Sequence, residues 1–362
     1  MSGTGTGTGD GVAGFIGLID LAAAALGGRV LGASDDFFAE AGNLIQPGRG
    51  VFIDGKFTDR GKWMDGWESR RRRAAAPDHD WCLLALGAAG EVAAFDVDTN
   101  HFLGNHPPFA SIDGVLAPGA SGLDQLPAAS WIELLPQSPL RPGAQNLFAV
   151  APRGPVSHLR LNIFPDGGVA RLRAYGRVAP PGAGEGGGST DQAARDAETR
   201  QRVPPDLIDL AAVKNGGQAL ACSDAFFGPM NNLLMPGRAD DMGGGWETRR
   251  RRGPGHDWIL VQLAARGVPA VVEVDTAHFK GNYPDRFSLD SIDAPAGTRI
   301  TDLMQSTHWT PLLPETKLAA DARAFFPISL HLGAADGAAT HVRLNVFPDG
   351  GVSRLRIWGR RA

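Results

Sequence analysis

Hydrophobic and polar residues alternate in short runs through much of the chain. "WCLLALG" (81–87), "VAAFDVDT" (92–99) and the runs flanking "PDGG" in "LRLNIFPDGGVARLRAYG" (159–176) are β-branched or alternating and bounded by turn residues. That is the period-2 signature of strands. Asp-Gly between two alternating runs predicts a β-hairpin in the last of them. Turn signals recur about every ten residues, which favours a β-sandwich or barrel. Periodicity does not choose between sandwich topologies. Helix is expected only near 15–26 and 205–213, with a short third candidate at 122–126.

The same blocks occur twice. "LIDLAA" stands at 18–23 and 207–212, "GWESRRRR" at 66–73 against "GWETRRRR" at 245–252, and "HDW" at 79–81 and 256–258. "FDVDTNHFLGN" (95–105) matches "VEVDTAHFKGN" (272–282), and "HLRLNIFPDGGVARLRAYGR" (158–177) matches "HVRLNVFPDGGVSRLRIWGR" (341–360). A repeat of this length means two similar domains, since solenoid periods run to only about 20–50 residues. The expected organisation is a disordered tail at 1–13, a first sandwich at 14–178, a flexible Gly/Pro-rich linker at 179–203 and a second sandwich at 204–362.

Composition narrows the function. With 35 Lys+Arg against 39 Asp+Glu, the chain has no overall pull towards nucleic acid or anionic membrane. No run reaches the roughly 18 apolar residues of a membrane span. Two cysteines, Cys82 and Cys222, fall at non-equivalent places in the repeats, so neither a disulfide framework nor a cysteine zinc site is expected. A reducing, cytoplasmic compartment fits.

Candidate chemistry lies in the repeated polar motifs. If residues 67–73 are extended, Glu68, Arg70 and Arg72 share one face and Ser69, Arg71 and Arg73 the other. One reading is a solvated, charged edge strand. The other is an anion site in which guanidinium forks hold a carboxylate and Glu68 steadies them. Residues 98–105 put Asp98, Thr99, His101 and Asn105 at a strand-to-loop exit, suited to proton transfer and to hydrogen bonding of amide-like groups. The same residues could simply cap the strand end, or hold a metal, although no standard ligand spacing is present. "HDW" reads as a turn leading into a strand with its Trp in the core, and Trp131 and Trp309 read as core. Asn162 and Asn345 interrupt apolar strand positions and need partners.

Taken together, "DGKFTDRGKWMDGWESRRRR" (54–73), "HDWC", "FDVDTNHFLGN" and the closing "HLRLNIFPDGGVARLRAYG" resemble the allantoicase family over nearly the whole chain. The resemblance implies an all-β chain of two tandem jelly-roll sandwiches of the galactose-binding-like type. It also implies hydrolysis of allantoate, a small-molecule substrate, to (S)-ureidoglycolate and urea. Such a substrate needs a cationic fork, partners for its ureido groups and acid/base groups near one C–N bond. Glu68, Asp98 and His101, with Glu247, Asp275 and His278 in the second copy, are then the expected catalytic set, His101 protonating the departing urea. Arg70, Arg72 and Asn105, with Arg249, Arg251 and Asn282, are the expected substrate-binding set. No cofactor and no metal are carried over, no nucleic-acid or membrane partner is expected, and a homo-oligomer is left open. Rival readings are a non-catalytic tandem carbohydrate-binding module and a metal-dependent ureohydrolase. The second copy lacks about ten residues before its Trp246, so the first copy is expected to dominate catalysis.

Overall fold

A computed structural model describes residues 17–73, 77–126, 130–179, 195–328 and 337–362 of the chain. It forms two compact units, Met1–Gly186 and Gly187–Ala362. The expected tail at 1–13 and most of the expected linker lie outside the described residues. The linker's last stretch is described from Arg195. There Asp196 caps a short helix, α1 (Ala197–Arg202), by accepting from the Thr199 amide. Val203 follows directly and packs with Leu207, Val271 and Trp358, so this stretch belongs to the second unit's core.

The strands of the first unit are β1 (Ile19–Asp20), β2 (Arg29–Ala33), β3 (Phe57–Thr58), β4 (Gly61–Lys62), β5 (Trp67–Glu68) and β6 (Asp80–Asp98). They continue with β7 (Phe109–Val115), β8 (Ile132–Pro139), β9 (Leu147–Ala149), β10 (Val156–Phe164), β11 (Gly168–Val169) and β12 (Arg171–Val178). The 19-residue β6 belongs to both layers of a sandwich. Its first half lies between β2 and β10, and β10 continues through β7 to β8. Its second half lies between β9 and β12, with β1 beyond β12. The change of partners falls at Gly90, which pairs with Val156 of β10 and with Val178 of β12. A Cβ at Gly90 would stand 2.3 Å from the Arg177 carbonyl oxygen, so the backbones meet there only because the residue is glycine. Leu84, Phe95, Ile112 and Leu159 are fully buried in the core. Burying each such side chain contributes about 1.5–3 kcal/mol before its entropy cost.

The second unit repeats this plan with β13 (Ile208–Asp209), β14 (Gln218–Cys222), β15 (Trp246–Glu247), β16 (Asp257–Asp275) and β17 (Arg286–Ile292). A short helix α2 (Ile300–Gln305) precedes β18 (Thr310–Lys317), β19 (Arg323–Pro327), β20 (Ala339–Phe347), β21 (Gly351–Val352) and β22 (Arg354–Arg361). Gly267 occupies the place of Gly90, pairing with Ala339 and Arg361. The tandem jelly-roll, all-β architecture is the one expected.

Several local expectations are corrected. Residues 17–26, the described part of 15–26, and residues 205–213 are not α-helical. Each described part gives a two-residue strand and leads into a 3-10 turn, Ala24–Leu26 and Val213–Asn215. Asp20 explains the first case, because its carboxylate accepts from the amides of Ala22 and Ala174 and stitches the segment to β12. The candidate at 122–126 is also a 3-10 turn, Leu123–Gln125.

The Asp-Gly hairpin is absent too, since β10 pairs with β6 and β7 while β12 pairs with β1 and β6. Residues 165–168 carry the chain from one layer to the other, and their glycines serve close packing. In "HDW" the burial is the reverse of that expected. Asp80 is buried and Trp81 half-buried, because β6 turns Asp80, Cys82 and Leu84 inward. Trp131 and Trp309 are half-buried rather than core, each covered by a guanidinium, from Arg160 and Arg343. Asn162 and Asn345 find their partners inside the sheet, donating to Ser111 and Asp113 and to Ser288 and Asp290.

Gly90→Ala is expected to destabilise the chain by about 1–3 kcal/mol through forced separation of β6 and β12. Gly42→Ala, where a Cβ would meet nothing within 4 Å, should be close to neutral. Urea unfolding of both variants checks this, and equal midpoints would refute the role given to Gly90.

Candidate active site

Three motifs distant in sequence meet around one ring. Phe102 is fully buried, and a Cβ on Gly168 or Gly66 would come within 2.0 or 2.7 Å of its ring. The Gly168 amide donates to the Asn105 carbonyl at 2.7 Å, and Gly168 pairs with Glu68 across β11 and β5. The Trp67 side chain is fully buried and its indole donates to the Asp35 carbonyl at 2.8 Å. Glu68 and Asn105 therefore converge, and Asn105 Nδ2 donates to Glu68 Oε1 at 2.7 Å.

These residues border a cleft of about 850 Å³. Glu68, Arg70 to Arg73, Asp80, Asn105, His106 and Asp166 line it. Burial raises the Glu68 carboxyl above its ordinary range, and the hydrogen bond from Asn105 only partly offsets this. Among the described residues no Arg pairs with Glu68, so the carboxylate is not seen to steady a fork as expected.

The arginines divide into two kinds. Arg70 is bound to Asp35 through Nε at 2.7 Å and Nη2 at 2.6 Å. Burial works against Asp35's charge, but the Arg70 bonds win and hold that carboxyl below its ordinary range. Arg72 is tied to buried Asp80 at 2.5 Å and to the Pro77 carbonyl at 2.6 Å, while its amide donates to Asp166 at 2.8 Å. Asp166 of "PDGG" thus holds the arginine run in place. Arg71 and Arg73 line the same cleft and make no hydrogen bond or ion pair among the described residues. Their forks are free for an anion.

Of the expected set, the structure brings Glu68, Arg70, Arg72 and Asn105 to the cleft and places Asp98 and His101 away from its lining. Asp98 is buried and accepts a bidentate pair from Arg49, at 2.8 and 2.9 Å, plus the Asn100 amide. His101 has φ 68°, turning the chain out of β6, a conformation His tolerates better than most side chains. Its ring lies against Phe52, 5.7 Å between centroids. Both therefore stand at the cap of the strand end. Sequence reasoning missed His106, which lines the cleft with its Nδ1 buried and unpartnered. The only signal was its place directly after Asn105, and its counterpart is Tyr283.

The second unit keeps the framework. Asn282 donates to Glu247 at 2.6 Å, Arg249 pairs with Asp224 at 2.8 Å, and Arg251 pairs with Asp257 at 2.5 Å. Asp275 is held by Arg238, and His278, again with positive φ, has its Nε2 2.9 Å from the Ala239 carbonyl oxygen. Met242 approaches Asn282 Nδ2 with its sulfur at 3.9 Å. The hairpin β3–β4 has no equivalent there among the described residues. Among the described residues no three of His, Cys, Asp and Glu cluster in a way that could hold a metal ion. No helix of the described residues is long and apolar enough to cross a membrane.

Comparison with known proteins gives a consistent result. A family model described as allantoicase repeat matches residues 19–179 and again 208–362. A probable allantoicase of Burkholderia mallei is 45% identical over 341 residues, covering 94% of each chain. A probable allantoicase of Pseudomonas paraeruginosa is 46% identical over 342 residues, covering 94% of this chain and 96% of that one. A crystal structure of allantoicase from Saccharomyces cerevisiae superposes with TM-score 0.74 at 34% identity, over 94% of this chain and 92% of that chain.

The raised Glu68 carboxyl has a consequence for stability. A group whose pKa is higher in the fold contributes stability while protonated and loses it as pH rises through the folded value. Glu68→Gln should therefore raise the melting temperature at pH 8, with the difference vanishing below about pH 4, where carboxyls are protonated in both states. Thermal unfolding across that range checks it, and a pH-independent difference would contradict the assignment.

Proposed function

This chain belongs to the allantoicase family, and from that premise we propose that the first-unit cleft is where it hydrolyses allantoate, in purine degradation, to ureidoglycolate and urea. The observation that carries the assignment is one cleft holding two unengaged guanidinium forks, Arg71 and Arg73, beside half-buried Glu68 and the exposed Asn105 that donates to it. Allantoate is a carboxylate on a carbon bearing two ureido groups. Arg71 and Arg73 suit the carboxylate, and Asn105 offers a carbonyl and an amide to a ureido arm. Arg70 and Arg72 act as positioning residues, held by Asp35 and Asp80.

Glu68, ionised, takes a proton from water as the water oxygen bonds the central carbon. The C–N bond to one ureido group breaks, and His106 supplies the proton that the departing urea nitrogen needs. Burial of Glu68 favours its action as a base, because a raised pKa strengthens proton acceptance near neutral pH. The rival reading of a carbohydrate-binding module wants exposed aromatic platforms, whereas the aromatic carbocycle in this lining is Phe38 alone. A reducing, cytoplasmic setting belongs to the same reading and is supported by both cysteines being free.

Urea release from allantoate by the purified protein tests the assignment. Glu68→Gln should lower kcat by about 10²-fold or more, and Arg71→Ala or Arg73→Ala should cost about 10- to 150-fold in kcat/KM. His106→Gln should impair kcat more than His101→Ala. If His101→Ala is the more damaging, the proton donor has been placed wrongly. A further comparison concerns the duplication, since the second unit has Tyr283 in place of His106. Glu247→Gln should therefore leave most of the urea release, and a loss equal to that of Glu68→Gln would mean the units contribute alike.

A further inference from the structure

The second unit contains a cavity of about 360 Å³, lined by residues from the start of α1, β13, the 234–238 loop, β16, β19 and β22. Its charge is unbalanced. Six cationic side chains line it against four carboxylates. Arg238 is matched by Asp275, Arg323 by Glu273 and Asp196, and Arg356 by Asp209. Arg195, Lys214 and Arg354 have no carboxylate partner among the described residues.

Arg354 and Arg195 are each 5% exposed. Arg354 donates only to backbone carbonyls, those of Asn232, Gly237, Gly244 and Ser353. Arg195 donates to the carbonyls of Pro204 and Leu207, stacks on Trp358, and leaves its Nε buried without a partner. Lys214 makes no hydrogen bond or ion pair among the described residues.

The first unit treats the same positions differently. Arg171 and Arg354 hold equivalent places opposite Asp98 and Asp275. Arg171 is neutralised by Asp65 at 2.8 Å, where the second unit has Gly244 and so no carboxylate. Where Arg323 reaches Glu273, the first unit has neutral Gln145 reaching Asp96. The excess positive charge is thus a property of the second unit's cavity.

We propose that this cavity is a binding site for a small organic carboxylate, gripped by Lys214 and Arg354 with its carbon body against Trp358 and Leu234. An unpaired buried guanidinium is costly, and an anion that pairs with it recovers that cost as affinity. Burial and the neighbouring Arg356 push the Arg354 guanidinium down to about 10, which is the mark of a cation short of counter-charge. Burial likewise lowers the Lys214 ammonium. The apolar wall favours an organic anion over inorganic phosphate, and the volume admits only a small one.

The test is isothermal titration of malonate into the full chain carrying Arg71→Ala, Arg73→Ala, Arg250→Ala and Arg252→Ala, which removes the arginine-run forks that have no carboxylate partner among the described residues of either unit. One malonate per chain is expected, with neutral malonamide failing to compete. Adding Lys214→Met or Arg354→Gln should weaken binding by about tenfold or more. Circular-dichroism melting checks that Arg354→Gln folds, and Lys214→Met decides the matter if it does not. Unchanged malonate affinity in Lys214→Met, no binding in the starting variant, or equal binding of malonamide would each overturn the proposal.

Discussion

The first unit's cleft depends on one close contact, the Phe102 ring against the backbone of Gly66 and Gly168. Neither glycine has room for a Cβ, so the ring clamps the strand that enters the arginine run to the loop between β10 and β12. Once clamped, Gly168 binds the Asn105 carbonyl and Asp166 binds the Arg72 amide. Chemistry from three separated motifs then shares one lining. Phe279 against Gly245 and Gly351 repeats the contact in the second unit. A packing constraint, written as Phe and Gly, therefore does the positioning, and the charged residues are what it positions.

Around that shared clamp the two units differ in how they pair the buried arginine that opens β12 and β22. In the first, Asp65 neutralises Arg171, and the free cations are Arg71 and Arg73 in the cleft beside Glu68. In the second, with Gly244 in place of Asp65, Arg354 stays buried without a carboxylate partner among the described residues. Buried charge without a partner is expensive and needs a ligand or another compensation. The duplication thus supplies one scaffold with two distributions of unsatisfied charge. His106 against Tyr283 places an imidazole at this position in one unit only.

The repeat, the all-β class and the strand positions were legible because burial imposes period 2 on a half-buried strand. So were Glu68 and Asn105, which recur as a pair in both copies. What could not be read was pairing over distance. "PDGG" has the local chemistry of a hairpin, yet tertiary contact with Phe102 decides its use. Alternation put Arg70 and Arg72 on the side of Glu68, but it could not reveal that Asp35 and Asp80 already occupy their forks. Asp98 and His101 looked catalytic by residue type. The contacts they make are at the end of β6, through Arg49 and a left-handed turn. His106 carries no pattern in sequence, since only the fold shows that its ring faces the cleft lining.

On the function proposed above, allantoate sits among the arginine run, Asn105 and the "PDGG" turn, not at the strand-end cap of β6. Hydrogen–deuterium exchange of the Glu68→Gln protein, with and without saturating allantoate, tests this directly. Slowed exchange confined in the first unit to amides of residues 68–73, 104–106 and 166–168 is the predicted result. Protection centred instead on residues 49–52 and 98–101, around Arg49, Asp98 and His101, would contradict it.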